Sequence, residues 1–178
     1  MSAFQNIIDL RFAVADHVGN RAISDVFPRL VALAEDDLNS RLRTRMQIRD
    51  YTLTFDEGEA ALPPDFLEMI AIKGRGPGDF QVLPLTIRMP GRAGDYEAQY
   101  YARLPSITCS PTATNWILQR YPSVYLYGVG LQAAKHLKDA ELAIATSPLY
   151  AEALQLLKAD DERARWSVAA VRVKGCVP

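Results

Sequence analysis

The sequence is poor in the residues that most often carry chemistry. Two histidines, His17 and His136, and two cysteines, Cys109 and Cys176, occur in 178 residues. Neither histidine has a carboxylate or cysteine at the spacing of HExxH or a facial triad, so they read as a helix-end and a surface histidine. The cysteines lie far apart without a CxxC or Cys/His partner, which speaks against a disulfide framework or a zinc site and for folding in a reducing cytoplasm. No nucleophile-elbow serine is present. Gly74-Arg-Gly-Pro-Gly78 lacks the Gly-Lys-Ser/Thr ending and the following helix of a phosphate loop, and reads as a hairpin loop. Charge of one sign is not in excess either. With 20 basic against 21 acidic side chains the net charge is −1, so no global field marks a nucleic-acid or membrane binder. The start, with Gln5, Asn6 and Asp9, lacks the basic and apolar segments of a signal peptide. No stretch approaches the roughly 18 to 20 apolar residues that cross a bilayer. The expectation is a soluble protein without catalytic centre, metal or cofactor.

What is present is a core. Apolar residues make up 49% of the chain, enough for one domain. Phe4, Ile7, Ile8, Phe12 and Ala15 recur at helical spacing and predict a helix ending near His17 to Gly19. Ser24 or Asp25 is the expected cap of a second helix, with Pro28 in its first turn. Phe27, Leu30, Val31, Ala34, Leu38 and Leu42 form its apolar stripe; Glu35, Asp36 and Asp37 are assigned to the opposite face, and Arg41, Arg43 and Arg45 to its C-terminal end.

After Arg49 the texture turns to β. Tyr51 to Phe55 alternates, Asp56-Glu-Gly58 is a turn, and Glu59 to Leu62 is expected to return as a partner strand. Phe66 to Ile72 fits either a strand or a helix. Gln81 to Ile87 reads as one strand and Tyr96 to Leu104 as another, for a total of four or five. Helices resume at Trp116, capped by Thr114 or Asn115, and at Pro122. Tyr121 to Ala134 is apolar nearly all round, so that helix should be buried on most sides, with Gly128 and Gly130 keeping it slim. Ser147-Pro148 predicts the start of a final helix whose inner face is Leu149, Tyr150, Ala153, Leu154 and Leu157. The fold class is α+β, mainly α: a helical bundle with a small β subdomain inserted between N-terminal and C-terminal helices. The single domain divides into residues 1–49, 50–110 and 111–168, with an extended tail over 169–178.

One concentrated charge feature stands out: Arg41, Arg43, Arg45 and Arg49. Guanidinium forks there suit phosphate or an acidic protein surface, while compensation of the helix dipole and pairing with Asp36 and Asp37 need no partner. The set is an interface or DNA-facing candidate. Tyr96, Tyr100, Tyr101, Tyr121, Tyr125 and Tyr127 sit among apolar residues, which favours packing over a base-stacking platform. Glu57 and Glu59, flanking a turn, are the one carboxylate pair a cell-wall hydrolase reading can use.

Several stretches, in order, resemble one family. They are Leu38-Asn-Ser-Arg-Leu-Arg-Thr-Arg45, Leu62-Pro-Pro-Asp-Phe66, Tyr100-Tyr-Ala-Arg-Leu-Pro105, Asn115-Trp-Ile-Leu, Tyr121-Pro-Ser-Val-Tyr-Leu-Tyr-Gly128 and Leu137-Lys-Asp139. The combination is similar to the head-to-tail connector adaptors of tailed bacteriophages, including those of short-tailed phages and gene transfer agents. The resemblance implies a virion protein, assembled in the bacterial host cytoplasm, that forms a dodecameric ring beneath the portal. Double-stranded DNA would pass through its channel without sequence-specific binding, and a stopper or tail protein would follow below. It also implies that the C-terminal segment reaches the portal, here through Val171, Arg172, Val173, Lys174, Cys176 and Val177. A net charge near zero suits a channel that must let DNA pass. The competing readings are a DNA-binding protein acting through Arg41 to Arg49, and the hydrolase.

Overall fold

A computed structural model describes Phe4, residues 6–19 and residues 22–166; the predicted tail over residues 169–178 lies outside the described residues. Helix α1 (Ile7–His17) begins on Asn6, whose side-chain oxygen accepts the amides of Ile8 and Asp9 at 2.8 and 3.1 Å. Its buried stripe is Leu10 and Val14, continued by Val18, while Ile8 and Phe12 face solvent. The expected stripe is therefore rotated. Apolar residues occur round most of this helix, so spacing alone leaves open which side is covered.

Helix α2 (Phe27–Arg41) follows the sequence closely on its inner side: all six stripe residues are at most 2% exposed. Its start does not. Val26 is the N-cap, with no side-chain bond, and neither Ser24 nor Asp25 caps it. A turn in which the Val26 amide donates to Ile23 leads in, and Pro28 brings no orphan donor to the first turn. The helix ends at Arg41 with Leu42 extended, so Arg43 and Arg45 lie beyond it.

Helix α3 (Trp116–Arg120) starts on Asn115, which accepts the Leu118 amide at 3.0 Å, and α4 (Pro122–His136) starts on its proline as expected. Helix α5 (Ala140–Trp166) differs from expectation, because it runs unbroken through Pro148. Its first turn is closed by Asp139, which accepts the Leu142 amide at 3.0 Å. Ser147 and Pro148 thus sit inside the helix, and Leu149 lies on its exposed side while Tyr150, Ala153, Leu154 and Leu157 are buried. Helix α4 touches α1, α2, α3 and α5, as its apolar circumference requires. Gly128 and Gly130 permit this. A Cβ at Gly128 would stand 3.1 Å from the Tyr150 ring, and one at Gly130 would stand 2.9 Å from His17.

Six strands among the described residues form two antiparallel sheets of three. The strands are β1 (Ile48–Phe55), β2 (Glu59–Ala61), β3 (Phe66–Ile72), β4 (Gln81–Val82), β5 (Thr86–Arg88) and β6 (Gly94–Ala102). One sheet has the order β1-β6-β3 and the other β2-β5-β4. Glu57 and Gly58 both take positive φ, 47° and 86°, as a two-residue hairpin turn requires. Beyond the Asp56–Glu59 bridge, however, β2 leaves β1 for β5. Strand β1 itself pairs with β6 over eight residues. The strand expected over Gln81 to Ile87 is two strands, because Pro84 cannot donate to a ladder and the Leu83 amide closes a turn onto Thr86. The ambiguous Phe66 to Ile72 is a strand.

The architecture is α+β. Two apolar clusters hold it. The larger joins α1, α2, α3, α4 and α5, with Leu104 and Ile107 from the segment after β6. The smaller lies between the sheets: Leu53, Phe55, Ala60, Ile72, Ile87, Met89 and Ala98.

Candidate functional site

The four arginines singled out in the sequence do not converge. Arg41 pairs with Asp37 one turn back at 2.9 Å. Arg43 donates to the carbonyls of Asn39 and Leu42 and pairs with Glu68 on β3. Arg45 opens a short 3-10 turn (Arg45–Gln47), where its amide donates to Asp161 at 3.0 Å. The Asp161 side chain, only 10% exposed, also takes Arg165, so it fastens α5 to this turn. Arg49 alone reaches the surface of β1 without a carboxylate partner among the described residues.

Arg49 has different companions. It lines a cleft of about 280 Å³ with Met46, Arg103, Leu104, Pro105 and Trp116. A second groove that shares Met46 and Trp116 is bordered by Arg45, Arg120 and Tyr121 together with Asp160 and Asp161. Arg103 and Arg120 are exposed and, like Arg49, have no carboxylate partner among the described residues. The cleft of about 280 Å³ is thus an apolar slot with the Arg49 and Arg103 guanidinium groups at its margin, a form that suits carboxylates or phosphates presented by a larger partner. Its floor is fixed by polar bonds: Gln47 donates to the Ala102 carbonyl and Asn115 to the Pro105 carbonyl, at 3.3 and 2.9 Å.

A buried network supports that floor from behind. Glu35, 6% exposed, faces inward rather than outward as expected. One of its oxygens accepts the Ile107 amide at 2.9 Å and the Tyr125 hydroxyl at 3.1 Å, and Tyr125 accepts from Asn115 at 2.6 Å. Burial, and then the Glu35 charge, push the Tyr125 hydroxyl well above the usual tyrosine range. Asp37 accepts the Tyr150 hydroxyl at 2.8 Å, and burial raises Tyr150 in the same direction. Neither arrangement has the look of a proton relay. Each is a polar rivet between helices.

The sequence model of one family, described as SU10 adaptor protein, matches residues 5–92 and 78–174, which is nearly the whole chain. The chain belongs to the SU10 adaptor family. This is a family of phage head–tail adaptors, structural proteins of the virion. No curated protein matches the chain. The two matched segments overlap across β4, the turn after it and β5.

In this adaptor the remaining candidates have plain roles. Tyr100 stacks on Phe66 and donates to Asp65, Tyr96 meets Phe55 edge-on, Tyr121 meets Trp116, and Tyr127 meets His17. The tyrosines therefore pack rather than form a platform. His17 lies against Gly130 with its Nε2 3.0 Å from the Thr146 hydroxyl, and His136 is exposed at the end of α4. Glu57 occupies the tip of the β1–β2 turn and Glu59 pairs with Arg88. The Gly74–Gly78 loop carries Arg75, which lies over the Tyr96 ring at 5.1 Å. Cys109 is exposed. Among the described residues no group of three metal-ligating side chains gathers, and no helix is long and apolar enough to cross a membrane. The portal-tail candidates Val171, Arg172, Val173, Lys174, Cys176 and Val177 lie outside the described residues.

Sequence reasoning missed Arg103, Arg120 and Glu35. Arg103 and Trp116 fall within the stretches that carry the family resemblance. Glu35 falls on the apolar stripe, four residues after Val31 and three before Leu38. That position was the legible sign of an inward carboxylate.

Proposed function

We propose that this adaptor forms a ring, dodecameric in the assembled virion, between the portal and a stopper or tail protein, and that it lines the passage for double-stranded DNA. The observation that carries this reading is the match of the adaptor family from residue 5 to residue 174. The helices around α4 act as a rigid bundle, and the segment after Trp166 reaches the portal. A chain of net charge −1 suits a passage that must not grip phosphate along its length. Electron microscopy of the protein mixed with the portal of the same phage tests the proposal. Rings stacked coaxially on the portal are expected, and portal particles that stay bare at saturating protein would overturn it.

A second reading is direct DNA binding through the arginine-lined cleft, favoured by the absence of carboxylate partners for Arg49, Arg103 and Arg120 among the described residues. It predicts duplex binding that weakens steeply with salt and is reduced in the Arg49→Ala/Arg103→Ala variant.

A further inference from the structure

Strand β1 sends opposite charges through the two faces of one sheet. Its register sets Arg49 beside Tyr100 and Asp50 beside Gln99, so these adjacent side chains leave on opposite sides. On the Arg49 side lies the cleft already described. On the Asp50 side, the registers gather Asp50, Asp95, Glu97 and Glu68 on one face. Lys73 is held there by Glu97 at 2.7 Å, and Arg43 reaches in to Glu68. Asp50 and Asp95, in contrast, are bonded only to neutral groups, the Gln99 amide at 2.8 Å and the Thr54 hydroxyl at 2.7 Å. This face is also hollow, with about 700 Å³ whose charged lining is Asp50, Glu97 and Lys73.

The net charge of −1 therefore conceals an uneven placing of charge, with four carboxylates against Lys73 and Arg43 on one side of the sheet and Arg49 without a carboxylate partner among the described residues on the other. For an isolated molecule the arrangement contributes little, because exposed charges are screened by solvent. For copies related by rotation it has a use. A head-to-tail contact needs two unlike surfaces on the same chain. These two differ in balance of charge, and they differ in form, with exposed guanidinium groups on one side and a hollow where Asp50 is left without a cation on the other.

We propose that the acidic face of the β1-β6-β3 sheet in one copy receives Arg49 and Arg103 of the next, and that this is the copy-to-copy contact of the ring. The inference rests on the ring proposed above. Guanidinium forks match carboxylates in geometry, and Asp50 and Asp95 are the acceptors still lacking a cation among the described residues. Like-signed faces repel, so the same charges oppose back-to-back pairing and set the direction of assembly.

The test uses the full chain and two variants, Arg49→Glu/Arg103→Glu and Asp50→Lys/Asp95→Lys, followed by sedimentation velocity across protein concentration at low salt. Wild-type protein is expected to self-associate and to lose that association as salt is added. Each variant alone should associate about tenfold more weakly or less. An equimolar mixture of the two should regain assembly, because every contact in an alternating ring again joins unlike charges. Wild-type rings left unchanged by both variants would remove this contact and leave the ring standing. Wild-type protein that never self-associates would remove the contact, while the ring stands or falls by the rings expected on the portal. Weakened variants with no recovery on mixing would overturn the pairing of these two faces. Loss of duplex binding in the arginine variant with self-association intact would assign the cleft to DNA instead.

Discussion

The Glu35 carboxylate on α2 stands 3.1 Å from the Tyr125 hydroxyl on α4, and the same oxygen holds the Ile107 amide. One buried acceptor thus ties two helices to the segment that leaves β6. Replacing Glu35 with alanine strands two buried donors, and the expected loss is about 2–4 kcal/mol of unfolding free energy. Glu35→Gln keeps an acceptor oxygen and should lose less. Urea denaturation followed by circular dichroism measures both, and equal losses would show that the hydrogen bonds do not matter.

Gly130→Ala should destabilise the protein although alanine is the better helix former by about 1 kcal/mol. The new Cβ would stand 2.9 Å from a His17 ring whose Nε2 lies 3.0 Å from the Thr146 hydroxyl, so either the ring gives up that contact or α1 shifts. Overpacking of this kind costs about 1–3 kcal/mol. The melting temperature decides between a net fall, as expected, and a rise that would mean α1 yields freely.

Alkaline pH should weaken the fold before it affects the chain in other ways. Burial, with the hydrogen bond to Asp65 second, pushes Tyr100 up to about 12, and Tyr125 and Tyr150 are raised as well. A free tyrosine titrates near pH ~10, so the unfolded chain releases these protons first. Stability is then intact below about pH 10 and falls as pH climbs through the folded value. Tyrosinate absorbance and helical circular dichroism should change together; early titration of all tyrosines with the fold intact would contradict this.

Pro148→Ala should stabilise. Inside α5 the proline cannot donate to the Ile144 carbonyl, and a proline in a helix interior is about 3 kcal/mol less favourable than alanine. Since α5 already accommodates the ring, the expected gain is smaller, about 1–2 kcal/mol. Chemical denaturation measures it, and a loss would mean that the proline ring itself packs favourably at this position.

The helices and strands that bury a periodic face were readable in the sequence. Phe27 to Leu42 sorted itself by period, and Asn115 and Pro122 marked their helix starts. Reading stopped where tertiary context overrode local chemistry. Ser147-Pro148 has the form of a helix start, yet Asp139 begins the helix earlier and α5 runs on through the proline. Ile8 and Phe12 fit a helix period as well as Leu10 and Val14 do, and only the position of α4 decides which pair is covered. The candidate site was half legible for a related reason. Arg49 could be named, but its companions Arg103 and Arg120 lie more than fifty residues away in the chain, and no spacing rule joins residues brought together by sheet register and helix docking.

That register has a further consequence. Arg49 and Asp50 alternate in step with Leu53 and Phe55, which are sealed into the cluster between the sheets. Slipping β1 by one residue would evict the apolar pair and at the same moment carry Arg49 to the side of Asp95 and Glu97 and Asp50 to the side that Arg49 left. The greasy residues that anchor the strand are therefore also what holds Arg49 and Asp50 to their own sides, and a one-residue insertion between Asp50 and Leu53 would leave the composition nearly untouched while exchanging those two charges.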